Sequence, residues 1–396
     1  MRKATVHTIR LYPLAIPLRH AVAHAGAERE VAEPIVVSIE FNEDVTGYGE
    51  TLPRAYVTGE THESVMSALQ GPLQKLLLTF NPTSFGAALE QIDALPFHGP
   101  DRTPLPAARA AVELALLDAS MRFFDRTFDD VVSWMGLPGF GTPGSLPGLR
   151  FSGVLACRDP LRLRRQLRLM YWGGLRHFKL KVGMADDDER FDAVTRYLGG
   201  PLAAGRVTVR LDANGAWSKD EAIERLGDWR DHPISGIEQP LPRGQEEDLP
   251  ILKDLFDFPL IHDESVITRD DAILLNDLGV ADVFNIRVSK CGGILASLHL
   301  AQLVRRMGGD VQIGCMVGET SLLTAAALRL LSVCPGVRWA EGAFGRLLLK
   351  RDVVGKPLQF GYGGRAPQLR GPGLGVEPDP AALRGLCVGE PIVTHL

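Results

Sequence analysis

The 396-residue sequence predicts an α/β protein, a closed barrel of parallel strands joined to a smaller α+β piece. Three observations carry that expectation. Eight β-rich runs, beginning near Phe151, Phe178, Val207, Ile234, Leu260, Val283, Val311 and Val337, alternate with helical stretches. Polar residues at the ends of successive runs recur at nearly constant steps of 26, 25 and 24 residues, from Asp212 to Glu238, Asp263 and Arg287. One strand, one helix and two short loops fill such a step. Finally, the proline- and glycine-dense segment 136–148 reads as a linker. An open doubly wound sheet is the rival, but the glycine clusters at 361–364 and 371–375 follow the last strand and open no helix.

In chain order, residues 5–11, 34–41 and 47–50 alternate as strands should. Residues 19–26 read as a mobile loop whose His20 and His24 suit a polar or anionic ligand; a plain surface loop is the competing reading. Val65, Met66, Leu69, Leu73, Leu76 and Leu77 recur at helical spacing between Glu63 and about Phe80. The clearest helix runs over 106–124, with a first-turn proline and an alanine-rich run. Its acids Glu113 and Asp118 are either buried partners or exposed. Ser218-x-x-Glu221 is a capping box before a barrel helix. The expected division is an α+β domain over 1–135, the linker, a barrel over 149–350, and a tail over 351–396 that packs back on the first domain.

Composition narrows the function classes. At 45% apolar and 23% charged residues, with net charge −5 and pI near 6.1, the chain lacks the basic footprint of a nucleic-acid or anionic-membrane binder. No apolar stretch approaches the roughly 20 residues of a membrane span, and no signal-peptide core follows Met1. Five scattered cysteines without a C-x-x-C pair fit reduced thiols in a cytoplasmic protein.

The chemistry gathers at the strand ends. Lys179 and Lys181 share one face of a strand, where mutual repulsion and burial are expected to lower a lysine's pKa toward that of a general base. Solvent-facing lysines on an edge strand are the ordinary alternative. Asp212, Glu238 and Asp263 end the following strands, so a barrel would aim all of them at its catalytic mouth. Three acids gathered there call for a cation, and oxygen-only ligands select Mg²⁺ or Mn²⁺. The rival is a set of acids paired with lysine and arginine and no ion.

With these motifs in order, together with Gly47-Tyr-Gly-Glu50 and Asn285-Ile-Arg-Val-Ser-Lys-Cys-Gly-Gly293, the chain resembles the enolase superfamily, in its muconate-lactonising-enzyme subgroup, nearly end to end. The resemblance implies a modified TIM barrel, (β/α)₇β, with an N-terminal α+β capping domain completed by the C-terminal tail. It implies Mg²⁺ on Asp212, Glu238 and Asp263, Lys181 as acid/base catalyst, and Lys179 tuning it. Cap loops near 15–30 and 50–60 would select a small-molecule carboxylate substrate, and a homo-oligomer is expected. Two departures stand out. Arg287 occupies the place of the lysine that racemising members carry on the sixth strand. Lys290, three residues on, is expected on the opposite face of a regular strand. On the eighth strand Trp339-Ala-Glu341 replaces the Asp-x-Asp of dipeptide epimerases. Asn214, Lys290, Glu319 and Glu341 remain candidates for contact with substrate or its ligands.

Family chemistry is removal or return of a proton next to a carboxylate, with the resulting charge stabilised by the metal. Arginine holds its proton under ordinary conditions, so the sequence points to one-base cycloisomerisation or syn elimination with Arg287 as electrostatic support. Two-base racemisation or epimerisation is the alternative, and a metal-binding barrel without catalysis the third reading.

Overall fold

The computed structural model describes residues 2–24, 27–141, 148–369 and 371–396, without the side chains of 22–28. Five strands come first: β1 (Val6–Pro13), β2 (Ile16–His24), β3 (Ala27–Ala32), β4 (Ile35–Phe41) and β5 (Thr46–Thr51). Eight short ones follow: β6 (Gly153–Leu155), β7 (His177–Lys181), β8 (Thr208–Asp212), β9 (Ile237–Glu238), β10 (Leu260–His262), β11 (Val283–Ile286), β12 (Asp310–Ile313) and β13 (Val337–Ala340). The last, β14 (Ile392–His395), pairs with β1 at the edge of an antiparallel sheet ordered β14-β1-β4-β5. The C-terminal tail thus completes the N-terminal cap.

Strands β6 to β13 hydrogen-bond in sequence order as one parallel sheet. A parallel bridge between Phe151 and Ala340, with Ser152 N donating to Ala340 O at 2.8 Å, joins its ends into a ring. Seven helices separate the eight strands, from Pro160–Trp172 to Ser321–Val333, which is the (β/α)₇β arrangement. Period-two alternation explains the layers. Phe178, Leu180, Val209, Leu211, Phe284 and Ile286 point outward into the core beneath the helices. The residues between them point inward. Ile261, Val283 and Trp339 pack together as a separate apolar floor, two residues below Asp263, Asn285 and Glu341 on the same inward face. The capping box forms as expected, Ser218 N donating to Glu221 Oε2 at 2.8 Å and Glu221 N to Ser218 Oγ at 3.3 Å. Among the described residues no helix is long and apolar enough to cross a membrane.

In the cap, β5 lies directly on the backbone of the helix Pro106–Phe123. A Cβ added at Gly49 would sit 2.0 Å from Ala111 O, and one at Gly47 2.2 Å from Ala119 N. The glycines and the alanine-rich run therefore answer each other: only minimal side chains allow strand and helix to approach this closely. The helix's two acids are buried partners. Glu113 accepts from Ile294 N and Leu295 N, both at 2.8 Å, capping a barrel helix from the cap. Asp118 accepts from Tyr48 N at 3.1 Å and Leu374 N at 2.7 Å, tying down the tail. Glu50 similarly accepts from Thr320 N and Leu323 N at the start of Ser321–Val333. Carboxylates at helix N-termini favour the positive end of the dipole, so the two layers are joined by capping as well as apolar burial.

Two expectations need correction. Residues 19–24 of the expected loop lie on β2, which pairs with β3 with Ile16 opposite Ala32 and Val22 opposite Arg29, while 25 and 26 lie outside the described residues. The single helix expected from Glu63 to about Phe80 is two, His62–Gln70 and Pro72–Leu77. Proline at 72 removes an amide donor and pushes Gly71 out of helical geometry (φ −116°, ψ −104°). Residues 142–147 of the expected linker lie outside the described residues.

Gly49→Ala should cost about 1–3 kcal/mol or more, because its new methyl meets backbone that cannot yield. Gly199→Ala, inside the helix Asp187–Ala203 with nothing within 4 Å, should gain about 0.5–1 kcal/mol. Urea midpoints check the contrast; equal midpoints for the two variants would sink it.

Candidate active site

Lys179 and Lys181 point into the barrel because their neighbours Phe178 and Leu180 face the helices. Register then places the acids, with Lys181 opposite Asp212 and Asp212 opposite Glu238. Lys179 Nζ lies 3.0 Å from Asp212 Oδ2, 3.1 Å from Glu238 Oε1 and 2.6 Å from Glu341 Oε2. Lys181 Nζ donates to Asp212 Oδ2 at 2.6 Å and Asn214 Oδ1 at 2.7 Å. Asp263 is held by Lys290 Nζ at 3.0 Å on Oδ1 and by an ion pair from Arg287 on Oδ2. Glu238 also accepts from Asn285 Nδ2 at 2.9 Å and Gln312 Nε2 at 3.0 Å.

The electrostatics differ from the simple picture of two repelling lysines. Burial pulls the Lys179 ammonium down, but Glu238, Glu341 and Asp212 around it prevail and hold it above the usual lysine range. Burial likewise pushes Asp212 up, and Lys181 and Lys179 overcome it to hold the carboxyl low. Three carboxylates surround Lys179, so the lowering expected of a lysine on this strand is not found there. Lys290 is a second correction. β11 ends at Ile286, and the turn that follows carries the Lys290 amine back to Asp263 and to the carbonyls of Asp263 and Asn285, at 2.5 and 2.7 Å. The regular-strand rule does not reach that far.

Most of the remaining candidates are placed by neighbouring contacts. Asn214 bridges Lys181 and Glu264, its Nδ2 donating to Glu264 Oε1 at 3.2 Å. Glu341 is spent inside the barrel: its second oxygen accepts from Arg210 at 2.5 Å. Glu319 closes its own loop, accepting from Met316 N and Thr324 Oγ1, each at 2.9 Å, and burial pushes it up to about 8. His20 is exposed on β2, apart from the cluster, and the His24 side chain lies outside the described residues. Arg210, Glu264, Asn285 and Gln312 join the site without having been singled out from the sequence. Stepping back two residues from Asp212 and Arg287 would have found Arg210 and Asn285 on the same inward face.

Among the described residues no three His, Cys, Asp or Glu groups converge as metal ligands do, and the site carboxylates are instead paired with Lys179, Lys181, Lys290 and Arg287. The donor set nevertheless suits a hard divalent ion. It offers three carboxylates at the ends of consecutive strands, and buried oxygens of Asp263 and Glu264 with no hydrogen-bond donor. Arg287 meets that Asp263 oxygen as a charge, without an aligned hydrogen bond. Of the three lysines, only Lys181 keeps appreciable surface, 13% against 2% for Lys179 and 0% for Lys290.

Residues 162–382 match the family model described as enolase C-terminal domain-like. The N-succinyl-L-Arg/Lys racemase of Bacillus cereus is 26% identical over 98% of this chain and 99% of its own. Muconate cycloisomerase 1-2 of Acinetobacter lwoffii is 30% identical over 87% of this chain and 86% of its own. The crystal structure of a dipeptide epimerase from Cytophaga hutchinsonii, complexed with Mg and the dipeptide D-Ala-L-Val, superposes with a TM-score of 0.81 at 22% identity. It covers 98% of this chain and 99% of the epimerase.

Arg210→Met should destabilise the fold by about 3–5 kcal/mol, because it leaves Glu341 a buried carboxylate short of its second cation. Adding Glu341→Leu should restore part of the loss. Chemical denaturation of both variants measures the coupling, and strictly additive losses would show that the pair does not act as a unit.

Proposed function

This chain belongs to the enolase superfamily, in its muconate-lactonising-enzyme subgroup, and on that premise we propose an isomerase that moves the proton on the carbon next to a substrate carboxylate, with Lys181 as acid/base. The observation that carries the reading is the Lys181 amine, the one site lysine with open surface, standing at the mouth between Asp212 and Asn214. A divalent ion, Mg²⁺ in the first instance, would be held by Asp212, Glu238 and Asp263 and would supply positive charge to the substrate carboxylate. Lys179 remains a fixed cation among three acids and takes no proton.

Racemisation or epimerisation is the preferred course, ahead of the one-base reading suggested by Arg287 alone, because a racemase and an epimerase stand among the full-length relatives; Lys181 takes the proton from one face and water returns one to the face of Arg287. An N-acylated amino acid fits better than a dipeptide. Both oxygens of Glu341, the acid at the end of the eighth barrel strand, are taken by Lys179 and Arg210, leaving none for a substrate ammonium. One-base cycloisomerisation is the second reading. It is favoured by Arg287, whose guanidinium serves as a fixed cation and not as a base.

Incubation with N-succinyl-L-arginine or N-succinyl-L-lysine and Mg²⁺ in D₂O, followed by NMR and polarimetry, should show α-deuteration with inversion. Lys181→Ala should lower that rate by roughly 10²–10⁴-fold. Deuteration with retention would move the chain to the one-base reading, and unchanged turnover in Lys181→Ala would remove the assignment. Separately, Mg²⁺ added after EDTA should raise the melting temperature, with about 2.7 kcal/mol of stabilisation at a hundredfold excess over Kd. A melting temperature that ignores both additions would leave the acids as ion-pair partners only.

A further inference from the structure

The segment that follows β5 is bonded to the barrel on the side of Arg287. Thr51 Oγ1 meets Ser289 Oγ at 2.8 Å, and Leu52 N donates to the same oxygen at 3.2 Å. Ser289 stands two residues past Arg287, in the turn after β11. Two residues past Leu52, Arg54 Nη2 donates to Val317 O at 3.4 Å, in the turn after β12. Met316, one residue back on that turn, receives Arg287 Nη1 on its sulfur at 3.8 Å. Arg54 is thereby fixed to the same turn that Arg287 touches, across the ring from Lys181.

Arginine is a costly residue to place there. Arg54 is only 6% exposed, and its acceptors are neutral: Pro53 O at 3.0 Å, Val317 O and the Tyr56 side chain. Among the described residues it forms no ion pair within 4.0 Å. Burial pulls its guanidinium down, and Arg29 on β3 stands close enough to add to the effect. Arg29 is itself poorly matched. Its Nε is buried without a hydrogen-bond partner, and its ion pair with the half-exposed Glu33 is stretched to 3.9 Å. Two neighbouring guanidinium groups with donors to spare form a receptor for an anion.

We propose that Arg54, supported by Arg29, is a specificity residue that receives a second anionic group of the substrate. The inference rests on the N-acyl amino acid reading above and narrows it: the acyl arm ends in a carboxylate, as a succinyl group does, rather than in a methyl or an amide. The substrate's α-carboxylate already has the ion proposed on Asp212, Glu238 and Asp263 as its counter-charge, so the cations of the cap are left for a different group. A neutral arm would desolvate them without return.

The test compares N-succinyl-L-lysine with its half-amide, in which an uncharged amide of the same size replaces the terminal carboxylate. With Mg²⁺, kcat/KM for α-deuteration should favour the succinyl compound by roughly 10–100-fold, the worth of a charge-assisted pair. Arg54→Met should nearly erase that preference by raising KM for the succinyl compound, and Arg54→Lys should restore part of it. Arg29→Met, at a partly exposed position, should reduce the preference by a smaller factor and serves where Arg54→Met does not fold. Calorimetric binding of the two compounds to Lys181→Ala separates the subsite from the reaction. Binding that prefers the succinyl compound through Arg54, without deuteration by the wild type, keeps the subsite and removes the isomerase reading. Equal deuteration of both compounds keeps that reading and overturns the subsite. A preference that neither arginine variant changes overturns it as well, and so does the failure of both compounds to bind.

Discussion

Charge balance inside the barrel is the constraint on which the rest of the molecule depends. Barrels of this class are ordinarily filled with branched apolar side chains, whereas here Lys179, Arg210 and Lys290 are buried with Asp212, Glu238, Asp263 and Glu341. A charge left alone in such an interior costs several kcal/mol, so the groups are tolerable only as a set of paired opposite charges. Strand register supplies the pairing: β7 brings amines, β8 and β9 bring carboxylates, and β13 returns a carboxylate to the first amine across the seam. Asn285 and Gln312 then hold Glu238 from the other side, over an apolar floor that closes the inner end. A site assembled this way is fixed in advance, which is the condition under which fixed charges act on a reacting group with little reorganisation.

The parts legible in the sequence were those set by local period and step length. Alternation gave the inward faces, the 24–26-residue step gave the ring, and capping residues such as Ser218 and Pro106 gave helix starts. What stayed hidden depends on contacts between distant residues or on where a strand stops. Arg210 and Glu341 are 131 positions apart and meet only because the ring closes. Lys290 was assigned to the wrong face because nothing in Ile286-Arg-Val-Ser-Lys290 announces that the strand ends at its first residue. Glu113 and Asp118 looked alike in the sequence, yet one caps a barrel helix and the other anchors the tail. The sign of the Lys179 shift was also out of reach, since it is decided by three acids on three other strands.

The cap follows from the same physics at lower charge density. Glu50 and Glu113 each reach across from the cap to the exposed amides of a barrel helix, so the layer over the mouth is positioned by directional bonds as well as by apolar area. Displacing the cap would leave two buried carboxyls and several helix-terminal amides unpaired, each costing about 1–3 kcal/mol. The cap therefore sits on a base that resists sliding.

The mouth itself is chemically lopsided. β7 and β11 stand four places apart in a ring of eight, so Lys181 and Arg287 stand on opposite sides of it. A lysine can serve as a base, but a guanidinium keeps its proton. On the proposed reading, one side of the mouth would exchange a proton while the other offers fixed charge and paired donors. This asymmetry is why the resemblance to racemases and the chemistry of residue 287 pull in different directions. A fold shared with racemases and epimerases does not make arginine into a base, so inversion here would require a proton delivered to that side by some other group or by water.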